Sequence, residues 1–163
     1  MQAVAGGNIE AHFNLALMLE RGQGGEEDLE MALELFHVAA SADFLEALIR
    51  LGIIYGNGDG VPKDEARSCA SLERAVALGS VQAMMMLAMY HRQTSAGAPR
   101  ALQLYQRAAA LGCTEAISIM ADILAEGYGV PADVQKATML YADASRRGDS
   151  WSSFRLGNIA EEI

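Results

Sequence analysis

A short pattern recurs along this chain at near-constant spacing, and no other feature restricts its fold as strongly. Segments beginning at Glu10 (EAHFNLALML), Glu46 (EALIRLGIIY), Gln82 (QAMMMLAMYH), Glu115 (EAISIMADIL) and Trp151 (WSSFRLGNIA) align on a small anchor: Ala11, Ala47, Ala83, Ala116 and Ser152. The anchors are spaced by 36, 36, 33 and 36 residues. Four places on comes Leu15, Leu51, Leu87, Met120 or Leu156. The next position is small each time, as Ala16, Gly52, Ala88, Ala121 or Gly157, and Met18, Ile54, Tyr90, Ile123 or Ile159 follows. Offsets of four and seven fall on one face of a helix. The small residues predict close approach by a second helix. This segment is called helix A.

A second stripe lies ahead of each next anchor. Ala32, Ser68, Ala101 and Ala137 are followed by a large residue (Phe36, Leu72, Tyr105, Tyr141), then by alanine (Ala39, Ala75, Ala108, Ala144). These define helix B. It closes at Asp43, Gly79, Gly112 or Gly148. Glycine there suits a left-handed residue, and aspartate tolerates that conformation at some cost. Glycine-rich loops join A to B: RGQGG, GNGDGVPKD and EGYGVPAD. Pro62 and Pro131 fall just ahead of helix B, where proline cannot extend the first helix. The third repeat reads RQTSAGAPR instead, which accounts for the shorter spacing. The expected repeats are 9–44, 45–80, 81–113 and 114–149. Residues 1–8 read as the end of a preceding helix B, with Gly7 as its closing glycine, and 150–163 as a helix A with no partner. Both ends therefore look cut inside a repeat or capped irregularly. One hairpin cannot bury its own apolar face, so stacked neighbours supply the core.

These residues resemble the Sel-one-like repeat, a relative of the tetratricopeptide repeat. The match is closest at Ala47, Leu51, Gly52, Tyr55, Gly58, Gly60, Val61 and Asp64, and again at Gly127, Gly129, Val130, Asp133, Lys136 and Ala137. The resemblance covers nearly the whole chain. It implies an all-α fold, a right-handed α/α superhelical solenoid whose concave face is made by the A helices. It also implies an adaptor or scaffold, since members work mostly by holding other proteins. Some secreted members carry a cysteine pair in each repeat and are linked to penicillin binding. This chain lacks such pairs, which argues against that branch and against an oxidising compartment.

Composition narrows the function classes. The net charge of −9 opposes binding to a phosphate backbone or to anionic lipid. The longest apolar run, Ala83 to Tyr90, is about half of a membrane span, and no signal-peptide pattern opens the sequence. A cytoplasmic setting is expected for this segment. Cys69 begins a helix B and Cys113 follows the end of the next. They are expected to be unbonded, because a helix of about 12 residues separates their levels by roughly 18 Å.

Enzymatic signatures are weak. GNGDG at Gly56–Gly60 is followed by Val-Pro-Lys, not by the Gly-Lys-Ser/Thr of a phosphate loop. Its carboxylates also lack the alternate spacing of a calcium loop. His12, His37 and His91 have no ligand spacing. Glu26, Glu27 and Asp28 fall where a helix starts and suit its dipole. No enzyme, cofactor or metal is expected.

The face of helix A opposite its core stripe is apolar. At about 100° per residue, Met85 and Met89 point roughly 160–200° from the core side, where a surface helix normally carries polar groups. Phe13, Leu17, Ile49 and Ile53 occupy equivalent positions. The expected partner-binding face comprises these residues with Met86, rimmed by Arg50, Arg92 and Arg155. Glu10, Glu46 and Glu115 recur along the other edge. The expected function is an adaptor gripping a peptide or helix of another protein. The alternative is a structural spacer, or a segment that self-associates through open solenoid ends; a hydrolase of the penicillin-binding branch is a distant third.

Overall fold

The computed structural model describes residues 2–161, with side chains over 8–159. Among the described residues every regular element is helical: α1 (Gln2–Glu20), α2 (Leu29–Ser41), α3 (Leu45–Asn57), α4 (Glu65–Ala77), α5 (Val81–His91), α6 (Ala98–Ala110), α7 (Thr114–Glu126), α8 (Val134–Arg146) and α9 (Ser150–Glu161), with one 3-10 turn at Ser95–Gly97. The odd-numbered helices are the expected A segments and the even-numbered ones the B segments. The chain divides into two compact units, Met1–Ala83 and Met84–Ile163. In the first, α1 pairs with α2, α2 lies on α3, and α3 pairs with α4. In the second, α6 packs on α7, α7 pairs with α8, and α8 packs on α9.

Aspartates start three of the B helices. Asp28, Asp64 and Asp133 accept hydrogen bonds from the backbone N–H of Met31, Arg67 and Lys136 at 3.0, 3.0 and 2.9 Å. Each satisfies a donor that the first turn leaves open. The third repeat has no such aspartate. There Thr94 caps the 3-10 turn, and Pro99 sits in the first turn of α6.

The B helices end as their glycines require. Gly79, Gly112 and Gly148 have φ of 86, 93 and 94°, and Asp43 has φ of 55°. The Ser80 N–H reaches Ala75 O at 3.1 Å while the Gly79 N–H reaches Val76 O at 3.0 Å. The same pair of bonds closes α2 at Phe44 and Asp43, α6 at Cys113 and Gly112, and α8 at Asp149 and Gly148. Such closure satisfies carbonyls the last turn would otherwise orphan.

The B stripe is buried throughout: Ala32, Phe36 and Ala39; Ser68, Leu72 and Ala75; Ala101, Tyr105 and Ala108; Ala137, Tyr141 and Ala144. The A helices meet it through their small residues. A methyl group on Gly52 would lie 2.7 Å from Leu72, and the Ser68 hydroxyl donates to Gly52 O at 2.6 Å. In the second unit Ala121, Leu124, Ala137 and Tyr141 form a core flanked by Ala125, Val130, Leu140, Leu156 and Ile159. The loops pack by the same logic of proximity. Gly129 lies against the Ser95 carbonyl, which a Cβ would approach to 2.1 Å.

Two expectations need correction. Leu15 and Met18 belong to the core stripe by sequence, yet are 48% and 45% exposed. The equivalent Leu51 and Ile54 are buried because α3 has both α2 and α4 against it, whereas α1 pairs with α2. The helix end expected at Gly7 is not formed either. Helix α1 runs unbroken from Gln2 to Glu20.

The corners make a direct prediction. A Cβ at Gly112 would meet nothing within 4 Å, so Gly112→Val is opposed by backbone conformation alone. The substitution should destabilise the protein by more than about 1 kcal/mol, read as a lower urea midpoint. An unchanged midpoint would refute the assigned corner.

Candidate functional site

The residues expected to form the binding face fall into both units. In the first, Phe13, Leu17, Ile49 and Ile53 are all half-buried. The Phe13 ring lies 5.7 Å from Phe36 and 5.2 Å from Phe44, so part of this row is packed into its own hairpin. In the second, Met85 and Met86 are half-buried and Met89 is 63% exposed. The three methionines line a small cavity of about 160 Å³ together with Tyr105, Glu115 and Ile119. The core side of the same helix is full: Ala83, Leu87 and Ala88 have no exposed surface.

The arginines expected on the rim are engaged within the protein. Arg50 Nε lies 3.0 and 3.1 Å from the two carboxylate oxygens of Glu20, and its Nη2 bonds the same group. That carboxylate side chain is only 9% exposed, so the pair ties α1 to α3 rather than facing outward. The Arg92 guanidinium stands close enough to Tyr105 to offset part of the rise that burial gives its phenol. Arg155 lies over the rings of Tyr141 and Trp151 at 5.5 and 5.7 Å, with its Nε 3.8 Å from Asp122.

Asp122 is the centre of a cluster that the sequence reading missed. It accepts hydrogen bonds from the Tyr141 hydroxyl at 2.6 Å and the Trp151 indole N–H at 3.1 Å. Burial first, and then the Asp122 carboxylate, hold the Tyr141 phenol well above its ordinary range. One signal was available. Asp122 occupies the position held by Leu17, Ile53 and Met89 in the other repeats, and a lone carboxylate in an apolar row calls for a partner.

A larger cleft of about 390 Å³ opens between α2 and α4 above α3. Its floor includes Leu48 and Leu51, and its rim carries His37, Tyr55, Arg67 and Arg74. The Tyr55 hydroxyl and His37 Nε2 share a hydrogen bond of 2.8 Å. Arg67 lies over the Tyr55 ring at 5.4 Å and pairs with Asp64. Arg74 binds Ala40 O and Asp43. Both guanidinium groups therefore already face carboxylates.

Among the described residues no three His, Cys, Asp or Glu side chains gather as a metal site, and no helix is long and apolar enough to cross a membrane. Cys69 and Cys113 are free thiols.

Known proteins place this architecture. A family model described as Sel1 repeat matches residues 9–44, 45–80, 81–113 and 114–149. Among curated proteins, chitin synthase regulatory factor 3 of Schizosaccharomyces pombe is 27% identical over 151 residues, 86% of this chain and 16% of that protein. Among solved structures, c5321, a protective antigen of uropathogenic Escherichia coli strains displaying an SLR fold, gives a TM-score of 0.79 at 28% identity, covering 97% of this chain and 34% of that one. A Sel1 repeat protein from Oxalobacter formigenes gives 0.80 at 24% identity, covering 97% and 66%. The chain thus spans about a sixth of the curated relative. The fold class is the tetratricopeptide-like α/α solenoid expected from the sequence.

Two predictions follow from this geometry. Arg50→Ala should destabilise the protein by about 2 kcal/mol, because it leaves a desolvated Glu20 carboxylate without its partner; a change in binding with unaltered stability would return Arg50 to the rim. His37 is held below its ordinary value of 6.5, by burial first and by Arg67 second. The unfolded chain therefore binds a proton more readily there. Its contribution to stability is complete above pH 6.5 and is lost as pH falls through that value toward the folded pKa. Urea midpoints of His37→Gln should vary less than those of the parent between about pH 7 and 5.

Proposed function

Because the chain belongs to the Sel1 repeat family, we propose that it is a protein-interaction scaffold, holding a segment of another protein against its A helices rather than transforming a substrate. The observation that carries this reading is the methionine surface of α5. Its core side is fully occupied, yet its other face presents Met85, Met86 and the largely exposed Met89 around a cavity. Flexible, polarisable thioethers repack around differently shaped apolar side chains, which suits a binding surface. The partner segment is a helix or extended peptide with an apolar anchor. In the first unit, Phe13, Leu17, Ile49 and Ile53 supply the corresponding row. The name of the Schizosaccharomyces pombe relative, a regulatory factor, is consistent with a protein that acts through others.

The engaged arginines change the polar part of this reading. Arg50, Arg92 and Arg155 hold internal partners, so selection of acidic groups falls to them only if those contacts break. Glu115, exposed at the cavity edge, and the net charge of −9 favour a basic residue beside the partner's apolar anchor.

Self-association is the second reading. It is favoured by the exposure of Leu15 and Met18 on α1 and of Trp151 and Phe154 on α9. Light scattering on the purified chain separates the two: a concentration-independent monomer excludes self-association.

The test of the scaffold uses a partner recovered with the full-length protein, its affinity measured by calorimetry. Met89→Asp should leave stability within about 0.5 kcal/mol, because the side chain is exposed. It should weaken binding about tenfold, or 1.4 kcal/mol. The double change with Met85→Asp should weaken it further. Intact affinity in folded Met89→Asp protein would place the partner elsewhere.

A further inference from the structure

The segment Met84–Met89 concentrates sulfur on one helix. Met85 and Met89 are four residues apart and Met86 and Met89 three, spacings that set side chains side by side with Cβ atoms about 5–6 Å apart. All three line the same cavity. A fourth sulfur approaches from another element. Cys113, half-buried at the N-terminus of α7, places Sγ 3.8 Å from Met85 Sδ. Two sulfurs that each bind one metal ion at about 2.3 Å, at tetrahedral to trigonal angles, stand roughly 3.8–4 Å apart. Thioethers beside a single thiolate favour soft monovalent d10 ions over Mg(II) and Ca(II), which take oxygen, and over Zn(II), which takes thiolate and imidazole. Glu115, two residues beyond the cysteine, lines the same cavity.

We propose that Cys113, Met85 and Met89, with Met86 beside them, form a binding site for one soft monovalent cation, Cu(I) or Ag(I). Binding transfers no electron. The Cys113 thiol releases its proton to solvent, and the thiolate and thioethers donate lone pairs to the ion. The site is a second property of the methionine face and stands whether or not a partner protein docks there. Cys69, the other thiol of the chain, is replaced in the test so that it does not compete for the ion. Burial first, and then Glu73 and Glu65, hold its thiol above the ordinary value, which disfavours the thiolate that soft ions need.

The probe is Ag(I), added anaerobically as the nitrate to Cys69→Ser protein and followed by native mass spectrometry. One ion per chain is expected. Met85→Leu with Met89→Leu should weaken binding by about tenfold or more, and Cys113→Ser should weaken it further. Cys113 is outside the proposed docking face, so Cys113→Ser should lose the ion and keep protein binding; the two proposals therefore fail separately. Should the double variant not fold, Met89→Leu alone, at the exposed position, tests the thioether contribution. The proposal is overturned if the leucine variants hold Ag(I) as tightly as the parent, since a thiol alone would then suffice, or if no stoichiometric ion is retained.

Discussion

Close approach between the two helices of a hairpin is the contact on which this architecture depends. Gly52 leaves no room for a methyl group before Leu72, and Ala16, Ala88 and Ala121 occupy the same place with no exposed surface. A larger residue there would hold the helices apart and open a void beside the buried stripe. With the helices this close, one face of each A helix is consumed by its own hairpin. The opposite face is then released from core duty, which is why methionines can gather on α5 without starving the interior.

Neighbour-specific polar contacts sit on top of this generic packing. Glu20 is bound by Arg50 from the following A helix, Arg74 reaches back to Ala40 O and Asp43, and Asp122 is held by Tyr141, Trp151 and Arg155. Apolar stripes alike in every repeat do not say which hairpin belongs beside which. A half-buried carboxylate does, because a wrong neighbour leaves it unpaired. Glu20 and Asp122 thus give a repetitive chain a defined order.

Most of the fold was legible because its determinants are local and recur. Anchor spacing, the closing glycines, Asp43 in a left-handed corner and the buried Phe36, Leu72, Tyr105 and Tyr141 all follow from position within the repeat. The departures arise where burial depends on something outside it. Leu15 obeys the same pattern as Leu51, but among the described residues α1 pairs with α2 whereas α3 has both α2 and α4 against it. Arg50 reads as a rim charge by helical phase, and its partner Glu20 is 30 residues away, beyond any local rule. The contact of Cys113 with Met85 is of the same kind: each residue is ordinary alone, and only the fold brings the sulfurs together.

The left-handed corners have a consequence for how such a chain changes length over generations. A block cut between two corners carries its own helix starts and stops, and begins and ends in the same chemistry. Duplicating or deleting one therefore rejoins a corner to a helix start of the kind already present, so the backbone of the new junction is already suited to it, and only a neighbour-specific pair such as Glu20 with Arg50 has to be matched again. The shorter third repeat obeys the same logic. Its missing residues come out of the loop between helices, where a 3-10 turn makes up the difference, while its closing corner at Gly112 is kept. Recombination in such a gene is punctuated by its glycines.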